Sequence, residues 1–398
     1  MNKRLLTAII VLLSISLLSP IALAQVGIED EVHAYLLGDS ERGEVLEGYN
    51  IHKPVAIASI SKLMSYLVIM ESIDRGLISL DDNICIDEDI TRIKGSSLNL
   101  KEGEIFTVKE LLESVLVVSA NDATYALAKQ VAGREEDFVK LMNERAKKMG
   151  LKSAYFINST GLPEGELQNT MNVEDIFKLS RYIIKNYPEV LSITSIPYIE
   201  YPDRDYKKEN TNPLLGEIEG IDGLKTGFTN KAGYCLVSTV EIKGDSIERE
   251  DFRLIGIIMG AENPDKQREL SKKLIQYGMD NYSYRILAKE NMPAGTIYIP
   301  KSVDKEVEVY PGKNFTSIVK NGDHIDKEII LDEDIKLPLK ERDKVGRLII
   351  SKNGQILEEM DLLVHKAVEK DNIFKALFRY LKELFASIFY KNKIAIIN

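Results

Sequence analysis

Two apolar runs of strand length, residues 233–241 and 252–260, lie far downstream of the chain's first strand-like pair, 32–38 and 44–47, which is broken at Arg42-Gly43. Helix-like text fills the gap between them. Apolar residues recur with a helical period over 59–74, 108–131, 135–149 and 173–186, and again over 265–281. Strands this apolar must be covered on their faces. The order is strands, helices, strands, then a final helix. It predicts a sheet assembled from both ends of one domain, with helices packed on it.

The texture changes after residue 285. Short alternating segments dominate, such as Glu306-Val307-Glu308-Val309 and 346–351, and Asn353-Gly354 separates two of them with the signature of a type I′ hairpin. A small all-β domain over 286–366 follows. With 398 residues, two domains are the expected count.

Both ends read differently from the body. Residues 1–24 have a positive start at Lys3 and Arg4, an apolar run over 5–18, and the small-residue site Ala22-Leu23-Ala24. This is the pattern of an export signal cleaved after Ala24. The alternative is an uncleaved membrane anchor. The expected body is then 25–285, followed by the β-domain and a tail over 367–398. Within 371–391, Phe374, Leu377, Phe378, Leu381, Leu384, Phe385, Ile388 and Phe389 share one helical face, and Lys375, Arg379, Lys382 and Glu383 share the other. No apolar run there is long enough to span a bilayer. A basic, aromatic-rich helix on an acidic body suits an anionic membrane surface. The bland alternative is a helix packed on its own protein.

Bulk numbers narrow the chemistry. Net charge is −10, which argues against nucleic acid as a partner. An exported protein has no ATP supply, and no phosphate-cradling glycine motif stands against that. Cys85 and Cys235 form no C-x-x-C pair, although one disulfide is possible. His33, His52, His324 and His365 are scattered without metal-ligand spacing. No metal or cofactor is implied. A Ser-His-Asp triad has little raw material, so lysine is the more credible base.

That focuses attention on 58–64, which reads ASISKLM. Ser59 could simply cap a helix and Lys62 be a solvated helix residue. Alternatively, a lysine one turn on, with its pKa lowered, could activate the serine as a nucleophile. Ser119 and Asn121 interrupt an apolar stretch, which a helix-to-helix turn would also explain. Lys225-Thr226-Gly227 precedes a strand, where a cation and a hydroxyl could hold an anion and a glycine permits close approach. Each signal alone is weak. S-x-x-K, S-x-N and K-T-G in this order form the set found in β-lactamases and penicillin-binding proteins.

The chain resembles the low-molecular-mass penicillin-binding proteins of the serine D-Ala-D-Ala carboxypeptidase family. The likeness includes Gly95-Ser96-Ser97 before Gly103-Glu104, SANDATYALA at 119–128, NSTGL at 158–162, NTNPLL at 210–215, KTGFTNKAGYCLV at 225–237 and RLIGIIMGA at 253–261. It covers nearly all of the chain after the leader, β-domain and tail included. The resemblance implies a mixed α/β (α+β) catalytic domain of the β-lactamase/transpeptidase type. It implies Ser59 as the acylated nucleophile and Lys62 as its base. Ser119 and Asn121 would line the opposite wall, with Lys225 supporting the proton network. Thr226 and Arg253 would receive the substrate's terminal carboxylate. Backbone N–H groups of Ser59 and Phe228, with Gly227 between the walls, would form the oxyanion hole. The implied partners are peptidoglycan stem peptides ending in D-Ala-D-Ala and, as covalent inhibitors, β-lactams.

The chain departs from the family pattern at three places. Ile57 stands where Pro is usual, Asn172 where Thr is common, and Thr160 where His is frequent. Three rival readings remain at this level. A β-lactamase would use the Glu164–Asn169 stretch for deacylation, but its spacing is off by one and it follows NSTGL. An endopeptidase would cut cross-links. A dead wall-binding scaffold would not need the intact Ser59, Lys62, Ser119, Asn121, Lys225 and Thr226.

Overall fold

The computed structural model describes residues 26–372 and 381–382. The leader expected over 1–24 and the amphipathic face expected over 371–391 lie almost wholly outside the described residues. No helix among the described residues is long and apolar enough to cross a membrane. The chain divides into two compact units. The first comprises residues up to 242 and 252–280, and the second 243–251 and 281 onward.

The first unit opens with a hairpin, β1 (Ala34–Asp39) and β2 (Val45–Tyr49). A 3-10 turn over Ala58–Ser61 runs directly into α1 (Lys62–Asp74). Next come α2 (Val108–Val117), α3 (Asn121–Ala132), α4 (Glu135–Lys148) and α5 (Val173–Asn186). A second hairpin, β3 (Tyr198–Tyr201) and β4 (Tyr206–Glu209), precedes the long strands β5 (Ile221–Thr229), β6 (Gly233–Ile242) and β7 (Phe252–Ala261). α6 (Pro264–Asn281) ends it.

The central sheet has the order β2-β1-β7-β6-β5, all antiparallel. Its strands do come from both ends of the unit: Leu36 near the start pairs with Ile257 near the end. α1 is mostly apolar around its circumference, and residues 62–70 are all buried. Leu63, Tyr66 and Leu67 share one core with Val115 of α2 and Ile257 of β7. Side chains fix where the surrounding helices start. Thr107 and Glu110 form a reciprocal capping box at α2, and Asn172 Oδ1 accepts from Asp175 N–H at 2.8 Å to cap α5. Asn172 is therefore a helix cap here.

The helical text over 108–131 forms two helices, with the helix-to-helix turn at Ser119 that the sequence offered. It breaks at Val118–Ala120, where Ser119 takes φ +62°. A left-handed non-glycine residue cannot continue a helix. The break places Ser119 and Asn121 at the junction of α2 and α3.

The second unit holds a two-stranded ladder, β8 (Tyr282–Ala288) with β11 (Phe315–Lys320). Its five-stranded sheet has the order β9 (Gly295–Tyr298), β10 (Glu306–Pro311), β14 (Gln355–Val364), β13 (Lys344–Lys352) and β12 (Ile325–Leu331). Val309, Val345, Leu348, Ile350 and Leu362 form its core. Asn353 and Gly354 both have positive φ and join Lys352 to Gln355, as a type I′ hairpin requires. The unit begins earlier than residue 286 and takes in 243–251 as well. Glu250 N–H donates to Tyr284 O, and Ile286 N–H to Glu248 O. Cys85 is exposed and Cys235 buried, and both are free thiols.

Candidate active site

Ser59 sits in the 3-10 turn that leads into α1, and Lys62 is the first residue of that helix. Three residues of tight helix bring both side chains to one side, with Nζ and Oγ 2.9 Å apart. Ala58 takes φ +47°, so the backbone makes a sharp entry at the position after Ile57.

Lys62 is fully buried, and its Nζ also donates to Asn121 Oδ1 at 2.6 Å and to the Thr160 carbonyl at 2.9 Å. Burial pushes its pKa well below the ordinary lysine value, and the nearby Lys225 pushes it further down. A neutral amine has two N–H bonds and one lone pair. Asn121 and Thr160 can take only hydrogens, so the lone pair is left for the Ser59 hydroxyl. The contacts therefore define a base aimed at a nucleophile. Asn121 is itself oriented, since its Nδ2 donates to Lys94 O at 2.8 Å. Its Oδ1 consequently faces the lysine.

The strand side of the cleft is β5. Lys225 is 1% exposed, donates to Thr226 O at 3.0 Å, and has its pKa pushed down to about 7, chiefly by burial and next by Lys208. Thr226 Oγ1 donates to Thr211 Oγ1 at 2.7 Å. Gly227 lies against the nucleophile turn. A Cβ there would stand 3.1 Å from both Ile57 O and Ser59 N, too close for comfort without movement. Phe228 is half-exposed and stacks on Tyr234 with ring centroids 4.2 Å apart. Ser119 is buried in the turn two residues before Asn121.

Ser59, Lys62 and Asn121 thus converge through hydrogen bonds, and Gly227 touches the same turn. Arg253 does not join them. Its Nη1 donates to Asp222 Oδ1 at 2.7 Å and to Thr239 Oγ1 at 2.9 Å. Asp222 lies four residues before Thr226 on β5, roughly 13 Å along the strand. The register of β7 on β6 pairs Arg253 with Glu241, whereas Thr226 pairs with Leu236. The arginine is thus committed to an ion pair toward the far end of the sheet. Glu164 and Glu166, the candidates for a deacylating carboxylate, are both exposed. Glu164 accepts from Asn158 Nδ2, and the Glu166 carbonyl accepts from Lys231.

Three contributors were given no contact in the motif reading. The Thr160 carbonyl is backbone, and motifs name side chains. The NSTGL motif marked the loop, and in it Gly161 takes φ +86°. Thr211 and Lys208 belong to a segment whose position depends on the β3–β4 hairpin.

Comparison with known proteins settles the family. The family model described as D-alanyl-D-alanine carboxypeptidase matches residues 23–263. The chain belongs to this D-alanyl-D-alanine carboxypeptidase family. The model of the C-terminal domain of penicillin-binding protein 5 matches residues 282–370, the second unit. Among curated carboxypeptidases, DacF of Bacillus subtilis is 29% identical over 381 residues, covering 92% of this chain and 95% of DacF. The crystal structure of the carboxypeptidase DacD from Francisella tularensis covers 90% of this chain and 98% of its own, with TM-score 0.66 and 26% identity. Penicillin-binding protein D2 of Listeria monocytogenes, in its ampicillin-bound form, is 35% identical, with TM-score 0.56, covering 63% of this chain and 97% of its own. The carboxypeptidase fold is therefore a mixed α/β domain followed by an all-β domain.

Proposed function

We propose that this chain is a serine DD-carboxypeptidase that removes the terminal D-Ala from peptidoglycan stem peptides and is acylated by β-lactams at the same serine. The observation that carries the reading is the 2.9 Å contact between Ser59 Oγ and a buried Lys62 whose two other contacts are hydrogen-bond acceptors. Ser59 Oγ attacks the carbonyl carbon of the penultimate D-Ala while Lys62 Nζ takes its proton. The tetrahedral intermediate then expels the terminal D-Ala, whose amine takes a proton from the lysine side of the cleft. Water hydrolyses the remaining ester, giving the shortened peptide and free Ser59. Developing negative charge on the carbonyl oxygen would be met by the backbone N–H groups of Ser59 and Phe228. Ser119 and Lys225 support the proton network from the opposite wall.

The relatives point the same way. DacF is named a D-alanyl-D-alanine carboxypeptidase, and penicillin-binding protein D2 is seen bound to ampicillin and to cefotaxime. The chain-terminal patterns support export, either to the outer face of the cytoplasmic membrane with peripheral attachment through the C-terminal segment or as a secreted protein. The role is trimming of the cell wall. The test is release of free D-Ala from a synthetic pentapeptide ending in D-Ala-D-Ala. The wild-type protein should release it and Ser59→Ala should not. Cleavage of cross-linked dimers without D-Ala release would instead favour an endopeptidase.

A further inference from the structure

If Arg253 is held by Asp222, the cleft lacks its expected receiver for a carboxylate. The β3–β4 hairpin supplies another cation. Along β4 side chains alternate between faces: Tyr206 and Lys208 are half-buried, whereas Lys207 and Glu209 are exposed. Lys207 faces outward, with Nζ 3.3 Å from Glu200 Oε2 and 3.9 Å from the Tyr198 ring centroid. Tyr206 faces inward, where its hydroxyl donates to Ser97 O at 3.2 Å. Lys208 lies two residues on, on the same inward face.

The chain then passes directly into the cleft. Thr211 N–H donates to Val117 O at 3.0 Å, at the end of α2 and just before Ser119. The Thr211 hydroxyl accepts from Thr226. Lys208 therefore lies on a strand whose neighbours on either side reach Ser97 through Tyr206 and Thr226 through Thr211, and it interacts electrostatically with Asp122 and Lys225.

Among the described residues, no hydrogen bond or ion pair holds Lys208. The near carboxylate, Asp122, is already occupied. It accepts from Ser97 Oγ at 2.6 Å, Ala123 N at 2.9 Å, Leu98 N at 3.1 Å and Leu100 N at 3.2 Å. Burial disfavours the charged form of Lys208 more than the nearby Asp122 favours it, and an arriving anion would offset that cost. The rival arginine on this wall is also engaged: Arg204 is bonded to Glu104, Leu98 O and Asn99 O. The substrate of the proposed reaction brings one anion near Thr226, its terminal carboxylate.

We propose that Lys208 receives the terminal carboxylate of the substrate beside the Thr211–Thr226 hydroxyl pair, and so sets the preference for a free C-terminus. This rests on the DD-carboxypeptidase reading. Lys208 touches no reacting atom of the peptide bond, so it is a specificity residue, and its loss should raise KM far more than it lowers kcat.

The experiment compares a pentapeptide ending in a free D-Ala-D-Ala carboxylate with its C-terminal amide, using wild type, Lys208→Ala and Lys208→Arg. A charge-assisted hydrogen bond predicts a loss of roughly 10- to 100-fold in kcat/KM for the acid on Lys208→Ala. The amide should change little, and Lys208→Arg should restore the preference for the acid. An equal loss on acid and amide would mean a structural role. An undiminished acid preference in Lys208→Ala would mean that the carboxylate is received elsewhere. Either result overturns the proposal. The acylation rates of benzylpenicillin and its methyl ester provide a second readout with the same expected pattern. It still decides the role of Lys208 if wild type releases no D-Ala, an outcome that would sink the carboxypeptidase reading alone.

Discussion

Lys62 and Lys225 are both fully buried, and among the described residues neither hydrogen bonds to a carboxylate. Desolvation therefore dominates, and both are driven toward the neutral amine. This suits a base, and it also has a cost in stability with a definite sign. Lys225 has a folded value of about 7 against an ordinary 10.5. Between those values the unfolded chain binds more protons than the folded one, so stability rises with pH through that window. Cys235 works in the opposite direction above its ordinary value of 9.0, because burial raises its thiol to about 12. The clean window is therefore about pH 7 to 8.5. Tm should rise across it in the wild type, and the slope should be smaller in Lys225→Met. An unchanged slope in that variant would mean that Lys225 is protonated in the folded protein.

Much of the site's chemistry was legible at this scale because S-x-x-K places two side chains one tight turn apart whatever surrounds them. Arg253 is bonded away from the Ser59–Lys62–Asn121 cluster, and its reach depends on strand register. Four residues along β5 separate its Asp222 partner from Thr226, and no local pattern encodes that offset.

At the scale of elements, helices and strands followed their periods and the turn at Ser119 was offered, but the backbone strain at these positions did not show. Ser119 at φ +62° separates α2 from α3, and Ala58 at φ +47° turns the chain into the nucleophile turn. Both conformations are imposed by surrounding structure against the residues' own preference. Gly161 makes the coupling visible. It has φ +86°, and a Cβ on it would lie 1.9 Å from Ala58 O and 2.9 Å from Ser61 Oγ. The loop that offers the Thr160 carbonyl to Lys62 is thus seated directly on the turn that carries Ser59. Gly161→Ala should destabilise the protein by roughly 2–4 kcal/mol through strain and displacement. It should also slow acylation, because the turn or the loop must move. The urea midpoint and the benzylpenicillin acylation rate check this together. If neither changed, the loop would not be the support described.

At the scale of the whole molecule, the two units have separate hydrophobic cores, one containing Leu63 and Ile257 and the other Val309 and Leu362. The change in texture read near residue 285 lies close to the start of the second unit's long segment at 281. The assignment of 243–251 to the second unit was not visible, since that segment sits in sequence between two strands of the first unit's sheet and its pairing with 284–286 is long-range. Chains with separate cores do not unfold as one two-state unit. Calorimetry should resolve two transitions. Acylation by benzylpenicillin, which occupies the first unit, should move one upward and leave the other in place. A single transition that shifts as a whole would contradict two independent cores.

The central claim is that Ser59 is the acylated nucleophile, and the most direct test is mass spectrometry of the protein quenched after mixing with benzylpenicillin. One adduct per chain is expected, located by peptide mapping at Ser59 and lost in Ser59→Ala. An adduct on Ser61, Ser65 or Ser119, or no adduct on folded protein, would contradict the account.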